Sequence, residues 1–471
     1  HWDGQPIHIE RLHISGDSSY VMVAAVKSLG DAFLADLRSR GFISASIEKG
    51  LGTPEMLIKA IEQQVETLKR ENEDTYKKEA AYADQLYPLQ VFFDALSVEQ
   101  ERVDTAGRFV HTQTVFYAKG WVPEALGEKV KQEIQTISPS AQMAISPPLA
   151  QENPPVLLHN NSAVTPFESV VSGFSLPDYR GLDPTAVMMP FFLNFFGMMV
   201  SDAGYGLLMA VLIPLMIKFF KPAKGMRNMM KLLAMGGGAT LIWGFLYNTW
   251  FGFSPLPVLF DAINNPIPVM AVCIGTGAIH LFAGLGVAAY MNIKRGKPMD
   301  AVYDQLSWFM VVVGAGLLLL PSAATVGKYM ALAGIVIILI TAGREKGNNP
   351  IKRLISGFGA LYGVTSWVSD LLSYMRLFGM GLATGVIGMV INQLVGMVFD
   401  AGFIGVILGS LLFCGGHLFN AGINVLGAYV HSCRLQYIEF FGKFYEDGGV
   451  AFTPLRENTR YVTITDAQKA A

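Results

Sequence analysis

One stretch, Ser366–Gly388, reads SWVSDLLSYMRLFGMGLATGVIG: apolar, rich in glycine, and yet carrying Arg376, with Asp370 six residues earlier. An arginine at the centre of a membrane helix costs about 2.5–3.5 kcal/mol on insertion scales, and intramembrane charges mark ion and proton paths. A guanidinium stays ionised at any physiological pH, so its chemistry is that of a fixed positive charge. The plainer reading is a structural pair with Asp370. Six residues of regular helix leave the two side chains about 120° apart around the axis, so pairing on one face is disfavoured. Asp370 reads instead as a polar group on the approach to the arginine.

A second arginine, Arg434, falls in the last apolar run, where Asn420, His431 and Arg434 form a polar stripe. That stripe suits a water-filled cavity, although Arg434 is also placed to snorkel toward an interface. His417 lies off the stripe and reads as a hydrogen-bonded core histidine. Asp202, in SDAGYG, reads as a helix cap, because carboxylates are favoured at helix N-termini. The glycines Gly379, Gly381, Gly385 and Gly388 permit close approach, either of a neighbouring helix in the same chain or of another protein. Cys273, Cys414 and Cys433 sit in apolar runs without metal-like spacing and read as small buried residues.

These residues require a membrane scaffold. The 471-residue chain is 52% hydrophobic and 15% charged, against about 25% charged for soluble domains. The net charge of −2 excludes a nucleic-acid surface, which needs a clustered basic excess. Apolar runs of spanning length fall at about 186–200, 203–220, 229–251, 269–292, 304–320 and 328–343, followed by two long ones at 354–398 and 403–444. The expectation is a membrane α-helical fold with eight transmembrane helices. The last two, at roughly 60–65 Å if straight, must tilt, kink or project. Lysine and arginine collect in alternate loops: Lys218 to Lys231, Lys294 to Lys297, and Arg344 to Arg353. The positive-inside rule makes those loops cytoplasmic and, with eight spans, both termini as well.

Residues 1–165 are expected to form a cytoplasmic arm, 166–185 the approach to the membrane, 186–449 the spanning domain and 450–471 a cytoplasmic tail. In the arm, Tyr20–Val26, a helix over Leu29–Arg40 and the run Phe42–Ile47 suggest a small α/β lobe. Thr53-Pro54-Glu55 opens a long helix, with Leu57, Ile61, Val65 and Leu68 at helical spacing, that continues to about Glu99. A rod of that length needs a partner along its stripe, expected upstream of His1. Strands at Thr112–Gly120 and Ala141–Ile145, with a helix from Glu124 to about Ile137, suggest a second α/β lobe. Phosphate-binding loops, zinc spacings and nucleophile elbows are absent from the arm sequence, which reads as a stalk.

The segments FYAKGWVPE (Phe116–Glu124), SLPDYRGLDPT (Ser175–Thr185), FFGMMVSDAGYGLL (Phe195–Leu208), SYMRLFGMGLATG (Ser373–Gly385) and HSCRLQYIEFFGKFYEDGG (His431–Gly449) occur in order. With them the chain resembles the a-type membrane subunit, called subunit I in prokaryotes, of the V/A-type rotary ATPases. The resemblance implies a cytoplasmic arm of two α/β lobes joined by paired long helices and docked on peripheral stalk subunits. It also implies eight membrane helices, the last two tilted around a ring of c-type rotor subunits. Arg376 takes the position of the family's essential arginine, Arg434 that of its second arginine, and His431 a polar position three residues before it. Thr384 and Asn424 match an outer half-channel, and Tyr362 and Ser366 a cytoplasmic one. Eukaryotic members carry histidine, glutamate and glutamate where this chain has Thr384, Asn424 and Tyr362.

On this reading the subunit is non-catalytic and needs no cofactor. A rotor carboxylate facing lipid must be neutral, because burying its charge is expensive. Arg376 would favour the ionised form and make it release H+ or Na+. Two offset half-channels then turn ion flux into rotation, in the plasma membrane of a prokaryote. The competing expectation is a free-standing secondary transporter with a cytoplasmic regulatory domain, which predicts internal repeats with broken helices; no convincing repeat is visible.

Overall fold

In the computed structural model the described residues are 5–15, 18–43, 53–255, 260, 265–318, 321–341, 359, 362–400, 402–455 and 459–462. The basic segment Arg344–Arg353, most of Phe42–Ile47 and the start of the first long run lie outside them. The chain divides into two units, one of residues 1–118 with 456–471 and one of Lys119–Leu455.

The first unit begins with an antiparallel hairpin, β1 (Ile7–Ser15) and β2 (Ser18–Ala25), bulged between Arg11 and His13. Strand β1 was not anticipated; its alternation is interrupted by charge. Helix α1 (Lys27–Ser39) buries Phe33. Thr53 is the N-cap and Pro54 the first residue of α2 (Pro54–Ala81), as the fixed φ of proline and its missing N–H favour. The rod breaks at Tyr82 and resumes as α3 (Ala83–Ala106), which carries Pro88 in its second turn. The stripe Leu57, Ile61, Val65 and Leu68 is exposed. In place of one strand over Thr112–Gly120 there is a two-residue pairing of β3 (Val110–His111) with β4 (Phe116–Tyr117).

The second unit opens with α4 (Glu124–Ile137). Ala141–Ile145 is unpaired; Ile145 instead packs against Gly127 of α4, where an added Cβ would meet its side chain at 3.2 Å. After α5 (Glu168–Phe174) and β5 (Leu176–Pro177) come α6 (Thr185–Val200), α7 (Ala203–Phe220), α8 (Lys224–Tyr247) and α9 (Pro266–Lys294). The next span runs from α10 (Pro298–Asp300) through a π-helical stretch, Ala301–Leu306, into α11 (Ser307–Leu318), and α12 covers Ala324–Thr341. The first long run is α13 (Gly363–Ser373) and α14 (Met375–Phe399). The second is α15 (Gly402–Arg434), a π-helical stretch Leu435–Phe440 and a 3-10 turn to Lys443, before β6 (Asp447–Gly449).

Among the described residues seven helices are long and apolar enough to cross a membrane. The expected first span, α6, has 16 residues, about 24 Å and short of the roughly 20 residues a crossing needs. It is apolar all round because it is the core. Phe192, Phe195, Phe196, Met188 and Met199 are fully buried, packed among α8, α14 and α15. Gly244 of α8 lets the backbone of the α6–α7 link approach so closely that a Cβ would lie 2.1 Å from the Ala203 nitrogen. The chain around the membrane helices is sewn together at one end. Val156 pairs with residues 450–452, β5 pairs with β6, and Arg295 forms a two-pronged ion pair with Glu446. That pairing holds the Arg295 guanidinium above its usual range.

Candidate functional site

Both arginines sit where helical geometry is interrupted. Tyr374 ends α13 and starts α14, and Arg376 is the second residue beyond it. Arg434 is the last regular residue of α15, and the π-helical stretch follows at once. Such single-turn widenings concentrate at functional sites.

The two interruptions are joined from behind by His280 of α9. It is fully buried, with Nδ1 2.9 Å from the Tyr374 hydroxyl and Nε2 3.0 Å from Gln436 Oε1. The carbonyl oxygen of Gln436 can only accept, so the proton is on Nε2 and Tyr374 donates to Nδ1. The imidazole stacks on Phe440, with centroids 4.4 Å apart. The Tyr374 ring fills the space over Gly277, where a Cβ would stand 2.3 Å from ring carbon Cγ. Sequence reading missed this clamp; its only signal was a histidine in an apolar span.

Arg376 is half-buried and its Nη1 has no hydrogen-bond partner among the described residues. His431 Nδ1, Gln436 Nε2 and Glu439 Oε2 are likewise buried without one. Arg376, His431, Arg434 and Glu439 interact electrostatically. Asp370 is not the partner of Arg376. It accepts a 2.6 Å bond from Lys443 Nζ, and that ammonium also lies 4.1 Å from the centroid of the Trp367 ring. Tyr362 and Ser366 are exposed on the first turns of α13.

Thr384, Asn420 and Asn424 are brought together, but inside the subunit. Asn424 Nδ2 donates to Asn420 Oδ1 at 2.6 Å. Asn420 Nδ2 donates to the Tyr205 hydroxyl at 3.0 Å and to the Thr384 carbonyl at 3.3 Å. Tyr205, thereby an acceptor, donates to His417 Nδ1 at 2.7 Å. His417 Nε2 then donates to Asn392 Oδ1 at 3.1 Å, and Asn392 Nδ2 to the Phe251 carbonyl at 2.7 Å. Asp202 closes the far side, accepting 3.1 Å bonds from the backbone N–H groups of Tyr205, Phe251 and Gly252. Its capping role and the core role of His417 follow the sequence reading. Along the stripe, Asn420 is buried, His431 half-buried and Arg434 exposed. The glycines divide too. Gly381 and Gly388 abut Met198 and Gly252, whereas Gly379 and Gly385 face open space.

Residues 53–257 match the family described as the V-type ATPase 116kDa subunit family. The chain is 30% identical to the A-type ATP synthase subunit I of Methanocaldococcus jannaschii, over 94% of its own length and 70% of the relative's. This chain belongs to that family. The subunit I of Pyrococcus horikoshii is also 30% identical, over 95% of this chain and 70% of the relative. A bacterial relative, the V-type ATP synthase subunit I of Borreliella burgdorferi, is 24% identical over 72% of this chain and 60% of its own. In this family member the two arginines thus stand at paired helix interruptions.

Proposed function

We propose that this subunit I is the ion-conducting stator of a V/A-type rotary ATP synthase, with ATP handled by other subunits. Its α14–α15 face would meet a ring of rotor subunits, each bearing a membrane carboxylate. The observation that carries this is Arg376: a half-buried guanidinium with an unbonded Nη1 and, among the described residues, no ion-pair partner. The one nearby carboxylate on its own helix pair, Asp370, is taken by Lys443. A passing rotor carboxylate would supply the missing contact and lose its H+ or Na+ there, since an adjacent fixed cation favours the charged form. Open space over Gly379 and Gly385 lets such a partner approach closely.

Along the helices, Ser366 precedes Arg376 by about 15 Å and Thr384 follows it by about 12 Å. Tyr362 and Ser366 would line the cytoplasmic approach. The network of Thr384, Asn420 and Asn424 would form the rigid back wall of the outer one, with both termini cytoplasmic and the arm on the peripheral stalk. Side-selective labelling tests this. In a Cys414→Ser background, which removes the exposed native thiol, Ser366→Cys is expected to react with an impermeant maleimide only from the cytoplasmic side. Gly385→Cys is expected to react only from the other side. Labelling of both from the same side would contradict the two half-channels.

A further inference from the structure

Glu439 has no part in the reading above, yet it is the most costly side chain in the region to leave unexplained. It is 2% exposed, next to last in the π-helical stretch, and its Oε2 has no hydrogen-bond partner among the described residues. A buried carboxylate is retained only if something compensates its charge. Five other charged or titratable groups bear on it or its neighbours. Lys443 and Asp370 cancel as a close pair. His431 faces the two arginines and interacts with both, and an imidazole carries no negative charge in either protonation state. Arg376 and Arg434 remain as two cations that repel each other. Glu439 is then the anion left to offset them, and the electrostatic interaction of Arg376 with Glu439 is the attractive one.

We infer that Glu439 is the resident counter-charge of Arg376, a positioning residue that acts through space and holds the guanidinium at the rotor face between passing carboxylates. This rests on the stator reading. The geometry gives a reason for the π-helical stretch. One widened turn directly after Arg434 carries Glu439 inward, where Gln436 is also buried and bonded to His280, while Arg434 stays exposed. Too close a pair would quench Arg376. A separation beyond ion-pair contact lets the rotor carboxylate compete.

The test uses the complete complex reconstituted in vesicles, with ATP-driven uptake followed by a pH-sensitive dye and by radioactive sodium across a range of pH. Glu439→Gln removes the charge and keeps the volume, and Glu439→Asp keeps the charge. Without Glu439 the interface is more positive, so the rotor carboxylate ionises more readily and the acid limb of the uptake profile moves to lower pH. At an effective dielectric near 20 the expected shift is about one pH unit. Glu439→Asp is expected to restore most of the wild-type profile. A Glu439→Gln profile that superposes on wild type, or a loss of uptake that Glu439→Asp does not rescue, would overturn the inference while leaving the stator reading intact. Normal uptake by Arg376→Ala would instead remove the reading on which it rests.

Discussion

Arg376 and Arg434 were legible as residues because charge in a long apolar run is rare and costly. Their partners were not, because partners are set by tertiary packing. Asp370 looked like a local counter-ion in sequence, helical geometry argued against it, and its bond to Lys443 joins residues 73 positions apart. Tyr205 was read only as part of a capping motif. In the fold it sits at the crossing of the polar network, accepting from Asn420 and donating to His417. Tyr205→Phe therefore leaves two buried polar groups short of a partner, at about 1–3 kcal/mol each. Thermal unfolding of the detergent-solubilised complex is expected to begin at lower temperature, with normal subunit composition. An unchanged transition would show that the network carries no stability.

At the scale of elements, hydropathy found the long helices well, and the caps at Thr53 and Asp202 were visible in local sequence. It could not tell that the first apolar run, 16 residues of helix, is packed inside the core, since a lipid-facing span and a core helix are both apolar on every side. Nor could it place the helix interruptions at Tyr374 and Leu435, which the His280 clamp from a third helix bridges through Tyr374 and Gln436. A long-range contact of the same kind fixes the tail. Asp94 of α3 is 3% exposed and accepts backbone N–H bonds of 2.8–2.9 Å from Arg460, Tyr461 and Val462, and Phe93 meets the Tyr461 ring edge-on. Burial alone would raise the Asp94 carboxyl, but the three N–H bonds and the Arg460 charge outweigh it and hold it below 3.8. The clasp is thus at full strength above the ordinary aspartate value and weakens as pH falls through the depressed one. Asp94→Ala is expected to free the tail at neutral pH, read as faster proteolytic loss of the residues after 455. Equal proteolysis of variant and wild type would show that the clasp does not hold the tail.

For the whole molecule, the proposed function makes this subunit half of an electrostatic device. On the proposed function the subunit would supply a rigid, glycine-faced wall and a fixed cation, and the moving carboxylate would belong to another protein. That division would account for an arginine left half-buried without an ion-pair partner among the described residues. The most direct measurement is ATP-driven ion uptake by vesicles carrying the complete complex with Arg376→Ala. The expected result is an assembled complex with wild-type subunit composition and uptake lost. Normal uptake by that assembled complex would contradict the account.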